Sequence, residues 1–239
     1  MTIVAADWRP KMRLQNRVLP SGEIVAIADR GMFVGNRGII HNPATKTLLR
    51  KRWSTDAWLT CVLEFRGRRR KVMERRSWTE LFFLDEATAL AAGHRPCALC
   101  RRDDYLALLD FWRTLRAGES SAEAIDAQLH AERLSLPTRT RRLYEAAIER
   151  LPDGTFILER GAPRVVLGER LYRWTAAGYA DPIRRPRRGS VCVITPPSLV
   201  GLLQAGWNPG VPLIHPSAPG DGGAVVRASD NRPADLANG

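Results

Sequence analysis

Apolar positions along the chain fall mostly into short β-branched and aromatic runs broken by glycine, and few stretches carry helical spacing. Residues 22–42, GEIVAIADRGMFVGNRGIIHN, mix such runs with four glycines, which predicts two short strands and tight turns. WLTCVLEF (58–65) predicts a strong strand. FRGRRRKVME then supplies a turn at Gly67 and a return strand, so 58–74 reads as a hairpin.

ELFFL predicts a short buried strand. Asp85 is placed to cap a helix over EATALAA, and Gly93 is placed to stop it. Beyond Cys100, Tyr105, Leu108, Leu109 and Trp112 recur at helical spacing, the signature of a face packed on a core. Ser120 and Glu123 form a capping box ahead of AEAIDAQLHAERL, and a further arginine-rich helix is expected after Pro137. From Thr155 the pattern turns to strands: TFILE, RVVL, LYRW and GSVCVIT. A helix over PSLVGLLQA, stopped by Gly206, and a last strand at VPLIH follow.

The predicted class is α+β with mostly antiparallel strands. The expected organisation is a basic arm (1–20), a cysteine-knuckle domain with antiparallel hairpins (21–117), a helical plus β C-terminal domain (118–217) and a disordered tail (218–239).

Charge sharpens this picture. The 239 residues carry a formal net charge of +12, which points to nucleic acid before other acidic partners. Cations cluster at Arg66, Arg68, Arg69, Arg70, Lys71, Arg75 and Arg76 on the expected hairpin, and at Arg184, Arg185, Arg187 and Arg188 in a proline-interrupted loop. Both clusters, with Arg102 after the cysteine pair, suit contacts to a phosphate backbone. No run approaches the ~18 apolar residues of a membrane-crossing helix, and the N-terminus lacks the apolar core of a signal peptide. A cytoplasmic protein with reduced thiols and no membrane partner is expected.

The four cysteines include a C-x-x-C at Cys97 and Cys100, stiffened by Pro96. Zinc needs thiolate or imidazole donors, and such a turn lets two share one ion. Cys61 on the expected hairpin strand and His94 beside the pair are candidates to complete a site for Zn²⁺. A redox dithiol or a metal-free knuckle are the alternatives. Candidate catalytic groups are few. Asp126 and His130 lie four apart on a predicted helix, where the carboxylate would orient the imidazole, and His41 ends a glycine-rich segment that a ligand can approach.

FFLDEATALAAGHRPCALCRRDD (82–104) resembles the second half of the zinc-binding domain of Ada-type DNA alkylation-response proteins, where a segment of the form FF…EALAAGFRPCKRC supplies the last two zinc cysteines. The resemblance implies zinc as cofactor, Cys97 and Cys100 as ligands, DNA as partner, and Arg95 and Arg101 on the nucleic-acid side. It covers about twenty-five residues. The family's upstream C-x-x-x-C pair, which carries its methyl acceptor, has no counterpart; FRGRRRKVMERRSW stands in its place. The expectation is a DNA-binding protein of a repair or damage-response system. The alternative is a nucleic-acid-processing enzyme, a metal-dependent nuclease or lesion-processing activity, with its site near His41 or His130.

Overall fold

The computed structural model describes residues 13–29, 31–75, 77–116, 120–135 and 138–218. Most of the expected arm, Arg76, the expected 117/118 boundary and the expected tail from 219 onward lie outside the described residues.

The protein is α+β, with two six-stranded sheets and four α-helices among the described residues. The first sheet contains β1 (Arg17–Val18), β2 (Ile24–Val25), β3 (Phe33–Asn36), β4 (Leu59–Val62), β5 (Leu81–Phe83) and β6 (Arg95–Pro96), in the order β6-β4-β3-β5-β1-β2. It is mixed: β6 runs parallel to β4 and β1 parallel to β5, and the other pairs are antiparallel. The second sheet is wholly antiparallel. It contains β7 (Tyr144–Ala147), β8 (Phe156–Glu159), β9 (Ala162–Leu167), β10 (Arg170–Thr175), β11 (Gly178–Arg184) and β12 (Ser190–Val193), in the order β7-β12-β8-β9-β10-β11.

Helix α1 (Glu86–Ala91) is buried on every side. Its start is set by Asp85, whose Oδ1 accepts from the Thr88 amide at 2.8 Å. Its end is a Schellman turn: Gly93, at φ +86°, donates to Leu90 O, and His94 donates to Ala89 O. Helices α2 (Arg102–Leu115), α3 (Ala122–Arg133) and α4 (Pro197–Gln204) complete the set. One core cluster joins Leu90 to Leu108 and Trp112 of α2, Ile125 and Leu129 of α3, and Leu199 and Leu202 of α4. Another joins Leu84, Ala87 and Ala91 to Phe156, Val165 and Tyr172 of the second sheet. Two of the core clusters therefore cross the expected boundary near residue 117. The α1 N-cap adds to this link, since Asp85 Oδ2 accepts from Tyr179 Oη at 2.7 Å and from the His215 amide at 2.8 Å.

Several local expectations are corrected. The 58–74 hairpin shrinks to a ribbon pairing Glu64–Phe65 with Arg68–Arg69, because β4 finds its partners in β3 and β6. Such non-local pairing buries Thr60 and Cys61, which a solvated hairpin would expose. The α3 cap is Ser121, whose Oγ accepts from the Ala124 amide, rather than Ser120. The arginine-rich helix after Pro137 is absent. Thr140–Arg141 pairs with Leu134–Ser135, β7 pairs with β12, and only a 3₁₀ turn at Ile148–Arg150 is helical. Arg141 enters the interior to reach the carbonyls of Ala91 and Ile194, an interaction a solvent-facing helix would forgo. VPLIH is an irregular, bent segment instead of a strand, with Leu213 O accepting from the Ala87 amide. No helix of the described residues is long and apolar enough to cross a membrane.

Candidate metal centre

The turn at Gly93 redirects the chain into β6, which runs parallel to β4 with Arg95 opposite Leu59 and Pro96 opposite Thr60. The next amide, Cys97 N, donates to Thr60 O at 3.0 Å. That register delivers Cys97 beside Cys61 of β4. The chain then turns tightly, with Arg101 N donating to Cys97 O, and Cys100 returns to the same point. The sulfurs of Cys61, Cys97 and Cys100 all lie within 4.8 Å of one another. In tetrahedral geometry, metal–sulfur bonds of about 2.3 Å would place the sulfurs about 3.8 Å apart, so the cluster suits a single ion. All three are free thiols, and Cys61 is the buried one.

Amide donors organise the sulfurs. The Leu99 amide donates to Cys97 Sγ at 3.5 Å, the Cys100 amide also bonds that sulfur, and the Val62 amide bonds Cys100. Hydrogen bonds from Cys100 and Cys61, with those amides, pull the Cys97 thiol down to about 2. Cys61 moves far the other way, through its bonds to Cys100 and Cys97 and through burial. Cys100 is raised as well: the bond from Cys61 favours its thiolate, but the bond to Cys97 and burial outweigh it. Three converging sulfurs are a donor set suited to a thiophilic cation. Magnesium and calcium, which take oxygen ligands, do not fit it.

The structure leaves His94 outside this cluster. It is the residue after the Schellman glycine, and its ring turns inward onto Phe83 (4.6 Å between centroids) and Trp58 (5.2 Å). Its Nε2 accepts from Arg37 Nε at 3.3 Å. The guanidinium carbons of Arg37 and Arg133 each sit 3.9 Å from the Trp58 ring centroid, on a side chain only 2% exposed. Burial first, then Arg37, Arg133 and Arg141, hold His94 well below its usual 6.5.

A pH dependence follows. Below about 6.5 the unfolded chain binds a proton at this residue and the folded chain does not, so stability falls as pH drops through that value. The expected contribution is up to about 1.4 kcal/mol per pH unit. His94→Phe should flatten the decline in urea-unfolding stability between pH 6.5 and 5, whatever its cost at pH 7.5. Parallel pH profiles for the two proteins would contradict this assignment.

The other candidates are placed as follows. Asp126 does not orient His130: its carboxylate accepts from Arg95 Nε at 2.7 Å and Nη2 at 2.6 Å. His130 Nδ1 lies 2.8 Å from Arg133 Nη2 and 3.3 Å from Asp56 Oδ1. His41 is buried, with Nδ1 on Thr79 Oγ1 at 2.7 Å and Nε2 on Arg75 O at 3.1 Å. Neither imidazole stands free in a cleft. Cys192 lies on β12 opposite Glu145 and Leu158.

The basic residues divide into two groups. Arg95 and Arg101, expected at a nucleic-acid surface, are buried in ion pairs, Arg95 with Asp126 at 2.6 Å and Arg101 with Glu86 at 2.6 Å and Asp104 at 2.7 Å. With side chains 5% and 1% exposed, they face acids inside the fold and not phosphate. Arg66, Arg68, Arg69, Arg70, Lys71 and Arg75 are exposed on and after the short ribbon, as are Arg102, Arg184, Arg187 and Arg188. Arg185 is half-buried and donates to the carbonyls of Ile148 and Leu151. Arg69 pairs with Glu64 and Lys71 with Glu74, whereas no carboxylate among the described residues pairs with Arg66, Arg68 or Arg70. Arg70 stacks on Trp78 at 4.0 Å.

Sequence reasoning missed the acids that take Arg95 and Arg101. The signal was present in Glu86, a carboxylate in the small, mostly apolar helix α1, and in Asp126, a carboxylate on the buried face of α3. No protein-family model, curated protein or solved structure matches the chain.

Proposed function

We propose that this chain is a zinc-binding protein that grips nucleic acid, DNA in the first instance, through the basic ribbon at the edge of its metal centre, in the service of DNA repair or damage response. The observation that carries the reading is the junction of the two features. The ribbon begins at Glu64, directly after the strand that holds Cys61, and the Val62 amide bonds Cys100. An ion on the three sulfurs would brace the base of a ribbon where Arg66, Arg68 and the following Arg70 have no carboxylate partner among the described residues. The resemblance of residues 82–104 to the Ada-type zinc domain supports zinc and DNA together. The missing acceptor pair favours binding over methyl transfer.

Phosphate neutralisation by Arg66, Arg68 and Arg70 would release counterions, so affinity must fall steeply with salt. Fluorescence anisotropy with labelled duplex and single-stranded DNA should detect binding at low salt. Replacing all three arginines with glutamate should weaken it at least ~10-fold and reduce the salt slope by about 2–3. Wild-type protein that fails to bind DNA at low salt, or a triple variant that binds as well, refutes the proposal. A preference for RNA would redirect it to another nucleic acid.

A further inference from the structure

The described residues supply the metal centre with three donors, one short of a closed site. All four cysteines and all four histidines of the sequence lie among the described residues. Three cysteines form the cluster, and no fourth Cys, His, Asp or Glu among the described residues joins them. Every imidazole is engaged away from it: His41 with Thr79 and Arg75, His94 with Arg37, His130 with Arg133, His215 with Ser217. Cys192 belongs to the other sheet. The sulfur and nitrogen donors of this chain are therefore exhausted, whereas a closed structural site takes four ligands.

The open side faces outward. Cys61 is buried beneath the knuckle, while Cys97 and Cys100 are half-exposed. Leu99, between them, is 67% exposed, and Leu63, next to the residue whose amide bonds Cys100, is 42% exposed. We infer that the fourth position is a binding site for a small exogenous thiol, which would coordinate as its thiolate.

Three features of the surroundings select that class. A trio of thiolates favours soft donors. The exposed apolar side chain of Leu99, between the two knuckle cysteines, favours a weakly hydrated sulfur over a strongly hydrated oxygen ligand. Three thiolates on a divalent ion carry one net negative charge and a fourth makes two, a load eased by Arg66, Arg68 and Arg70 nearby, which have no carboxylate partner among the described residues, on a chain of +12. Binding forms one metal–sulfur bond, and the thiol proton passes to solvent. The inference rests on reading the cluster as a metal site, and the test separates the two.

The full-length chain and its Cys192→Ser variant, freed of metal and loaded anaerobically with Co²⁺, report thiolate coordination by near-ultraviolet charge-transfer absorbance. N-acetylcysteine is then titrated in. The expected result is a three-sulfur spectrum whose charge-transfer intensity rises saturably, by about one third, as a fourth sulfur joins three. The rise should be the same in the Cys192→Ser protein and at all protein concentrations. Absence of any cobalt–thiolate absorbance would overturn the metal reading itself. A three-sulfur spectrum indifferent to thiol would leave that reading standing and overturn this inference. So would a four-sulfur spectrum before thiol is added, or a response to imidazole in place of thiol.

Discussion

Replacing Cys61 with serine is expected to abolish metal binding and to loosen the knuckle from the first sheet. Cys97 and Cys100 are close neighbours in sequence, so an ion on those two alone would cross-link almost nothing. Cys61 is on β4, and it makes the site a clamp between that strand and the turn leading into α2. Metal bound only by the folded chain adds its binding free energy to folding stability, about 4 kcal/mol at a free concentration a thousand times the dissociation constant. Elemental analysis of untagged protein should find one zinc per chain in the wild type and in Cys192→Ser, and a small fraction of that in Cys61→Ser and Cys97→Ser. The thermal midpoint of Cys61→Ser should match that of chelator-stripped wild type and respond to neither zinc nor chelator. Zinc retained at full occupancy by Cys61→Ser would show that β4 takes no part in the site.

What the sequence made legible here was local. Asp85 and Gly93 carry their capping chemistry in their own side chain or lack of one, so both ends of α1 could be read. The periodicity of Tyr105, Leu108, Leu109 and Trp112 named the buried face of α2. Cys61 could be nominated because a β-rich run placed it on a strand. Which strand that run would pair with was not written locally. Gly35 of β3 is the one trace: a Cβ there would lie 2.0 Å from Leu59 O, so the residue permits the close approach of β3 and β4.

Side-chain direction was the other blind spot. His94 is three residues from Cys97, yet the Schellman turn sends its ring to Phe83 and away from the sulfurs. Arg95 and Arg101 read as phosphate ligands through the resemblance, while Asp126 and Glu86, which take them inside the fold, sit 31 and 15 residues away along the chain. Charge read as composition counts all arginines alike, whereas the fold divides them into a buried set that holds the knuckle and an exposed set that meets solvent.

The buried set supplies the second large effect. Arg101 follows Cys100 directly and is fixed by Glu86 of α1, both side chains at most 1% exposed. Burial pushes the Glu86 carboxyl up against the opposing pull of Arg101, and Glu86 with Asp104 raises Arg101 against its own burial. Removing one partner of such a pair strands the other, which costs about 3–5 kcal/mol, whereas removing both with apolar groups of similar volume is often close to neutral. Arg101→Met should therefore destabilise the chain by about that amount in urea unfolding, and Arg101→Met with Glu86→Leu should recover most of it, giving a large coupling energy. The pH profile supplies the sign. In Arg101→Met the stranded Glu86 titrates above its unfolded-state value of 4.5. The folded state then binds more protons than the unfolded state over that interval, so the penalty must shrink as pH falls toward 4.5. A double variant no more stable than Arg101→Met would mean that packing around α1, and not the stranded charge, sets the cost.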